Sequence, residues 1–179
     1  MVPSQSELTD AIADAARKAI SELFRQHPER FYYCSLITTG EAHRPYVSAW
    51  SHEALDAVVG EDPAPVGARE LLKWSYADSP YCGFGDEYFE GVKELFGRRP
   101  RMDPEDPDGW GLEWDLRVGA MEAAVARLDH EGLFGRGAAR VQIVINVEVM
   151  PPDAGNAERA RRLNPVDAIA AWLEELGET

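Results

Sequence analysis

Residues 31–39 read FYYCSLITT, an uncharged run that is aromatic and β-branched, with apolar side chains on both alternating faces. A strand wetted on one side alternates apolar with polar residues, so this pattern predicts a central strand covered on both sides. Gly40 to Pro45 form a turn, and YVSAW at 46–50 follows as a partner strand. A third strand is expected at VQIVINVEVM, 141–150, where Val141, Ile143, Ile145, Val147 and Val149 point one way. Gln142, Asn146 and Glu148 share its other face with Val144 and Met150, which predicts a wetter side.

Helical spacing surrounds these strands. Leu8, Ile12, Ala16, Ile20 and Leu23 recur every three or four residues, giving an amphipathic helix over 6–26 that ends at His27-Pro28. Ser51 caps a short helix over 52–59, stopped by Gly60, and EDPAPVG at 61–67 is a loop. RELLKWS at 69–75 is expected as a strand or short extended piece. Tyr88, Phe89, Val92, Leu95 and Phe96 give a helix over 86–96 with Asp86 as its cap. RRPRMDPEDPDGWG at 98–111 is a polar surface loop, and Trp114, Val118, Met121, Val125 and Leu128 form one stripe of a helix over about 112–130 that packs on the sheet. Residues 151–163, rich in Arg, Asn and Gly, look like a solvated loop, and Asn164-Pro165 caps and opens a last helix through Val166, Ile169, Leu173 and Leu176. This order predicts a single α+β domain over residues 1–179, a small mixed β-sheet packed against several helices.

Composition narrows the function classes. Eighteen Lys and Arg against 32 Asp and Glu give a net charge of −14, which repels nucleic-acid backbones and anionic membranes and attracts a basic protein partner. The N-terminus lacks a basic-then-apolar leader pattern and no run of 18 apolar residues occurs, so a cytoplasmic protein is expected. The 2 cysteines, Cys34 and Cys82, lack metal-ligand spacing and suit a reducing compartment.

No catalytic residues, metal or cofactor are expected. Asp129-His130-Glu131 is the one tight acid–histidine string, but neighbours on a helix point about 100° apart. Gly132 behind them is placed to end the helix. PEDPDGWGLEWD matches a calcium loop at Asp106, Asp108 and Asp115, yet Pro104 stands where the first carboxylate is needed. The histidines form no zinc array, no serine lies in a Gly-x-Ser-x-Gly elbow, and the glycines of YCGFGDEYF lack a following Gly-Lys-Ser.

Two candidate surfaces remain. Asp103, Glu105, Asp106, Asp108 and Trp110 combine carboxylates with an aromatic anchor suited to a basic protein. Trp74, Asn146 and Glu148 are candidates for a ligand pocket beside the sheet, with Tyr76 and Tyr81 near Trp74 in the chain.

Three pieces of the chain together resemble a bacterial family known as domain of unknown function 4303, over about residues 8–176. They are FYYCSLITTG followed by a helix opening SHEAL, then LLKWSYADSPYCGFGDEYF, and LDHEGLFG with LNP after a strand. The resemblance implies a single α+β domain without agreed catalytic residues. Members look like others found beside polymorphic toxin genes, where small acidic cytosolic proteins serve as immunity factors. The leading expectation is therefore a non-enzymatic acidic binding protein, an immunity-type protein included, that neutralises a toxin or binds another basic protein. The alternatives are an enzyme or small-ligand protein with a pocket at the sheet, and an accessory subunit of a larger assembly.

Overall fold

The structure is a computed structural model and describes residues 1–60, 67–152 and 154–176, without the side chain of Leu176. Residues 61–66 of the expected EDPAPVG loop lie outside the described residues. Strand β1 (Phe31–Thr39) runs between β2 (Tyr46–Ser51), to which it is antiparallel, and β3 (Val144–Met150), to which it is parallel. Its central position explains the sequence pattern, because Tyr32 through Thr38 are all buried.

Register divides the sheet into two faces, since paired residues point the same way. Leu36 sits between Val47 and Val147, and Cys34 between Ala49 and Ile145, so one face is apolar. Helices α1 (Gln5–Gln26) and α5 (Pro107–Glu131) pack on each other and add Ile12, Ala16, Leu23, Met121 and Val125 to the core that includes this face. Ser4 and Glu7 close a capping box at the start of α1. Ser35 sits between Ser48 and Asn146, and Tyr33 and Glu148 fall on the same side, so the second face is polar.

That polar face is not wet, which corrects the expectation for β3. Asn146 is 0% and Glu148 6% exposed. Val144 packs there with Ala157, Ala160, Ile169 and Trp172 of α6 (Ala154–Leu163) and α7 (Val166–Leu176). Residues 154–163 are therefore a helix and not a solvated loop. Asn156, Ala157, Arg159, Ala160 and Leu163, spaced by one, two, one and three, are its buried stripe.

The stripe exists because β3 is an edge strand whose outward N–H and C=O groups need partners. Asn156 accepts from Val149 N–H at 2.8 Å and donates to Val149 C=O at 3.1 Å. Asn164 does the same for Ile145, at 2.9 and 2.6 Å, and Arg159 Nε donates to Val147 C=O at 2.8 Å. The Asn164 side chain is thus spent on the strand and does not cap α7. On the opposite edge, Gly83 N–H donates to Val47 C=O at 2.8 Å and the Ser79 hydroxyl donates to Ala49 C=O.

Other boundaries shift for local reasons. Residues 68–72 form helix α3 (Ala68–Leu72), not an extended piece, since Arg, Glu and Leu favour helix and none is β-branched. Val141 and Gln142 belong to a 3-10 turn over Gly137–Gln142, so β3 starts later than expected. Helix α5 starts five residues earlier than about 112, because Asp106-Pro107 is itself a cap followed by proline at the first turn. Ser51 caps α2 (His52–Gly60), accepting from Ala54 N–H at 2.9 Å. Asp86 caps nothing: it pairs with Arg44 at 2.6 Å, and a 3-10 turn over Asp86–Phe89 leads into α4 (Glu90–Gly97) from Gly85. Gly85 has φ 71°, and a Cβ there would lie 2.7 Å from that of Ala19. Val166, expected on the seam of α7, is 80% exposed.

Replacing Asn164 with Ala orphans both Ile145 backbone groups at once. We expect Asn164→Ala to lower the unfolding free energy by about 2 kcal/mol or more in urea titrations. A loss under about 0.5 kcal/mol would mean that water satisfies this edge.

Candidate functional site

A cavity of about 920 Å3 lies on the polar side of the sheet, where β3, α6, α7 and the segment after α3 meet. Trp74, Tyr76 and Trp172 supply aromatic walls, Pro152 and Asn156 line one side, and Glu148 is its carboxyl group. Four smaller cavities elsewhere measure about 260 to 330 Å3.

Each wall is held from behind. Trp74 meets Tyr32 and Tyr33 edge-on, with ring centroids 5.3 and 6.2 Å away, and its Nε1 donates to Glu175 of α7 at 2.7 Å. Lys73 Nζ lies 4.9 Å from the Trp74 ring centroid and pairs with the same Glu175. Trp172 is buried within the cluster that binds α7 to α6. Asn156 is fixed by Val149, so the strand edge and the cavity wall share one side chain.

Glu148 is the electrostatic feature of the cavity. The Tyr33 hydroxyl donates to its Oε1 at 2.7 Å. Burial raises its proton affinity above the usual carboxylate range, outweighing the hydroxyls of Tyr33 and Ser35 and the charge of Arg159, which favour the ionised form. Burial, followed by the charge of Glu148, also pushes Tyr33 far above the usual phenol range, so Tyr33 remains a donor. Asn146 lies behind the cavity, donating to Asn156 C=O at 3.1 Å, and its Oδ1 is the one buried side-chain polar atom among the described residues without a hydrogen-bond partner.

The structure therefore brings Trp74 and Glu148 to one cavity with Tyr76, and sets Asn146 just behind it. Trp172, Asn156 and Tyr33 complete the arrangement. Tyr81 goes elsewhere, donating to Glu29 at 2.8 Å beside His27, while Ser51 donates to the same carboxylate. That Ser51 hydroxyl also caps α2, so the group ties two segments together and offers no free nucleophile.

The acidic candidates have local duties. Asp103 accepts from Glu105 N–H at 2.9 Å, and Asp106 caps α5 by accepting from Gly109 N–H at 3.0 Å. Asp108 lies in the first turn of α5 and Trp110, half-buried, just behind it. The calcium template fails here because its second half is helical, and no group of three or more His, Cys, Asp or Glu among the described residues could hold a metal ion. The string at 129–131 separates as helix geometry requires: Asp129 pairs with Arg140, Glu131 with Arg17, and His130 stays exposed. Gly132 ends the helix at φ 91°. No described helix is long and apolar enough to cross a membrane.

The model of a family described as domain of unknown function, DUF4303, matches residues 12–165. The chain belongs to the DUF4303 family. In this DUF4303 protein the matched span covers the sheet, α6, Trp74, Tyr76 and Glu148, while Trp172 lies past its end. No curated protein and no solved structure matches the chain.

Ionisation of Glu148 should be visible in stability. A carboxyl raised in the folded state contributes fully below its unfolded pKa of about 4.3, and that contribution is lost as pH rises through the folded value. Tyr33 and Ser35 of β1 and Arg159 of α6 are the polar groups acting on it. In urea titrations at several pH values, the stability of Glu148→Gln relative to the native protein should rise between about pH 4 and pH 8. A flat or falling difference contradicts this assignment.

Proposed function

We propose that this protein binds a small molecule in the cavity between β3, α6, α7 and Trp74. The observation that carries the reading is a space of about 920 Å3, walled by three aromatic rings around the Glu148 carboxyl, with no cationic side chain among the described residues of its lining. Ligand sites are typically concave, mostly apolar and about 300–1,000 Å3, with a few polar groups that set orientation. Glu148 fits the last role, and its high proton affinity is of the kind concentrated at functional sites. The two sealed sheet edges weigh against recognition by strand addition.

The 5 tryptophans provide the test. A set of planar aromatic fragments is titrated into 15N-labelled protein, with indole N–H signals assigned by single Trp→Phe variants. Binding fragments should shift the Trp74 and Trp172 signals and leave that of Trp110, at the start of α5, in place. If no fragment at about millimolar concentration moves either signal, the reading fails.

A second reading is favoured by charge. Arg17, Arg25, Arg30, Arg44, Lys73 and Arg162 each sit in an ion pair, so the surplus behind the net charge of −14 resides in other carboxylates. Asp103, Glu105, Asp108 and Asp115 are exposed around the start of α5, where they suit a basic protein such as a toxin neutralised by this chain. With the product of a neighbouring gene as partner, the Asp103→Asn/Glu105→Gln/Asp108→Asn variant should associate about tenfold more slowly at low salt. An unchanged rate would remove this reading.

A further inference from the structure

We propose that the cavity takes an organic ammonium cation with a flat apolar body, its N–H groups directed to Glu148 and its body between Trp74, Tyr76 and Trp172. This rests on the small-molecule reading above and adds the chemical class of the ligand.

Three observations support it. First, among the described residues the only carboxyl in the lining is Glu148, and no Lys, Arg or His lines the space. An anionic ligand would find no cation among the described residues of the wall, inside a protein of net charge −14. Second, the cations beside the cavity are already engaged within the fold, Arg159 also lending its charge to Glu148. Lys73 pairs with Glu175, and Arg159 is buried, donating to Val147 C=O and to Asn156 Oδ1. Third, aromatic faces attract ammonium groups, most strongly when desolvated, and this wall carries two indoles and a phenol. Lys73 over the Trp74 ring is the same interaction made within the chain.

Glu148 is arranged to discriminate by charge. Tyr33 occupies Oε1 as a donor and cannot supply a cation, so the carboxyl holds no formal partner in direct contact. Burial favours its protonated form, and a ligand ammonium in contact with it would shift the balance to carboxylate, expelling a proton. A neutral ligand lacks this attraction, and an acidic one is opposed by it.

Calorimetry with three indoles of similar shape tests the class: tryptamine, carrying an ammonium; indole, neutral; and indole-3-acetate, carrying a carboxylate. Tryptamine should bind about tenfold more tightly than indole, and indole-3-acetate more weakly than either. In Glu148→Gln the ratio of tryptamine to indole affinity, measured within the variant, should fall below about threefold. Indole binding with no preference for the amine overturns the ammonium assignment and leaves the ligand cavity standing. Failure of all three to bind overturns both. An amine preference that survives Glu148→Gln also overturns it, because the cation is then held elsewhere.

The native protein gives a readout that needs no variant. Tryptamine binding should expel a proton in the pH range just above the ordinary carboxylate values, where burial keeps free Glu148 protonated, seen as a heat that depends on the ionisation enthalpy of the buffer. A buffer-independent heat across that range contradicts a role for Glu148.

Discussion

The outer edge of β3 constrains most of this structure. Three strands leave two edges, and each edge exposes backbone groups that cost free energy if buried unpaired. The β3 edge is closed by side chains. Two carboxamides, Asn156 and Asn164, each take one residue's N–H and C=O as a neighbouring strand would, and Arg159 takes the carbonyl between them. Closing the edge this way fixes helix α6 against the sheet, and α6 brings α7 with it.

From that placement the chemistry follows. With α6 and α7 over the polar face, Glu148 and Asn146 lose water, and the carboxyl acquires its raised proton affinity. Arg140 reinforces the junction, donating to Ile143 C=O, Leu163 C=O and Asn164 Oδ1, and pairing with Asp129 near the end of α5. One guanidinium therefore links the helix on the apolar side to the strand edge and the α6–α7 corner. Asp129, part of the acid–histidine string that looks catalytic in the sequence, is structural for this reason.

Periodicity made the skeleton legible. The uncharged run of β1, apolar on both alternating faces, announced a central strand, and the stripe from Val118 to Leu128 announced α5, because both patterns are set by burial against neighbours. Helix α6 was not legible. Its Arg and Asn residues have the composition of a solvated loop, and whether an Asn faces water or a strand edge depends on a partner elsewhere in the chain. The spacing of Ala157, Ala160 and Leu163 was the available signal. The same limit applied to the cavity: Trp74 and Glu148 stood out by residue type, but Trp172, Asn156 and Tyr33 join them only through the docking of α6 and α7. The acidic residues from Asp103 to Asp108 stood out by charge, and two of them are spent on local capping.

Native-state hydrogen exchange at the Ile145 and Val149 amides tests the sealed edge most directly. Both donate to side chains and not to a neighbouring strand. If Asn164 and Asn156 hold β3 as described, these two amides exchange only through global unfolding, as slowly as amides within β1. Exchange at the rate of frayed termini, with β1 still protected, would show that α6 does not close the edge and that the cavity built on it does not persist.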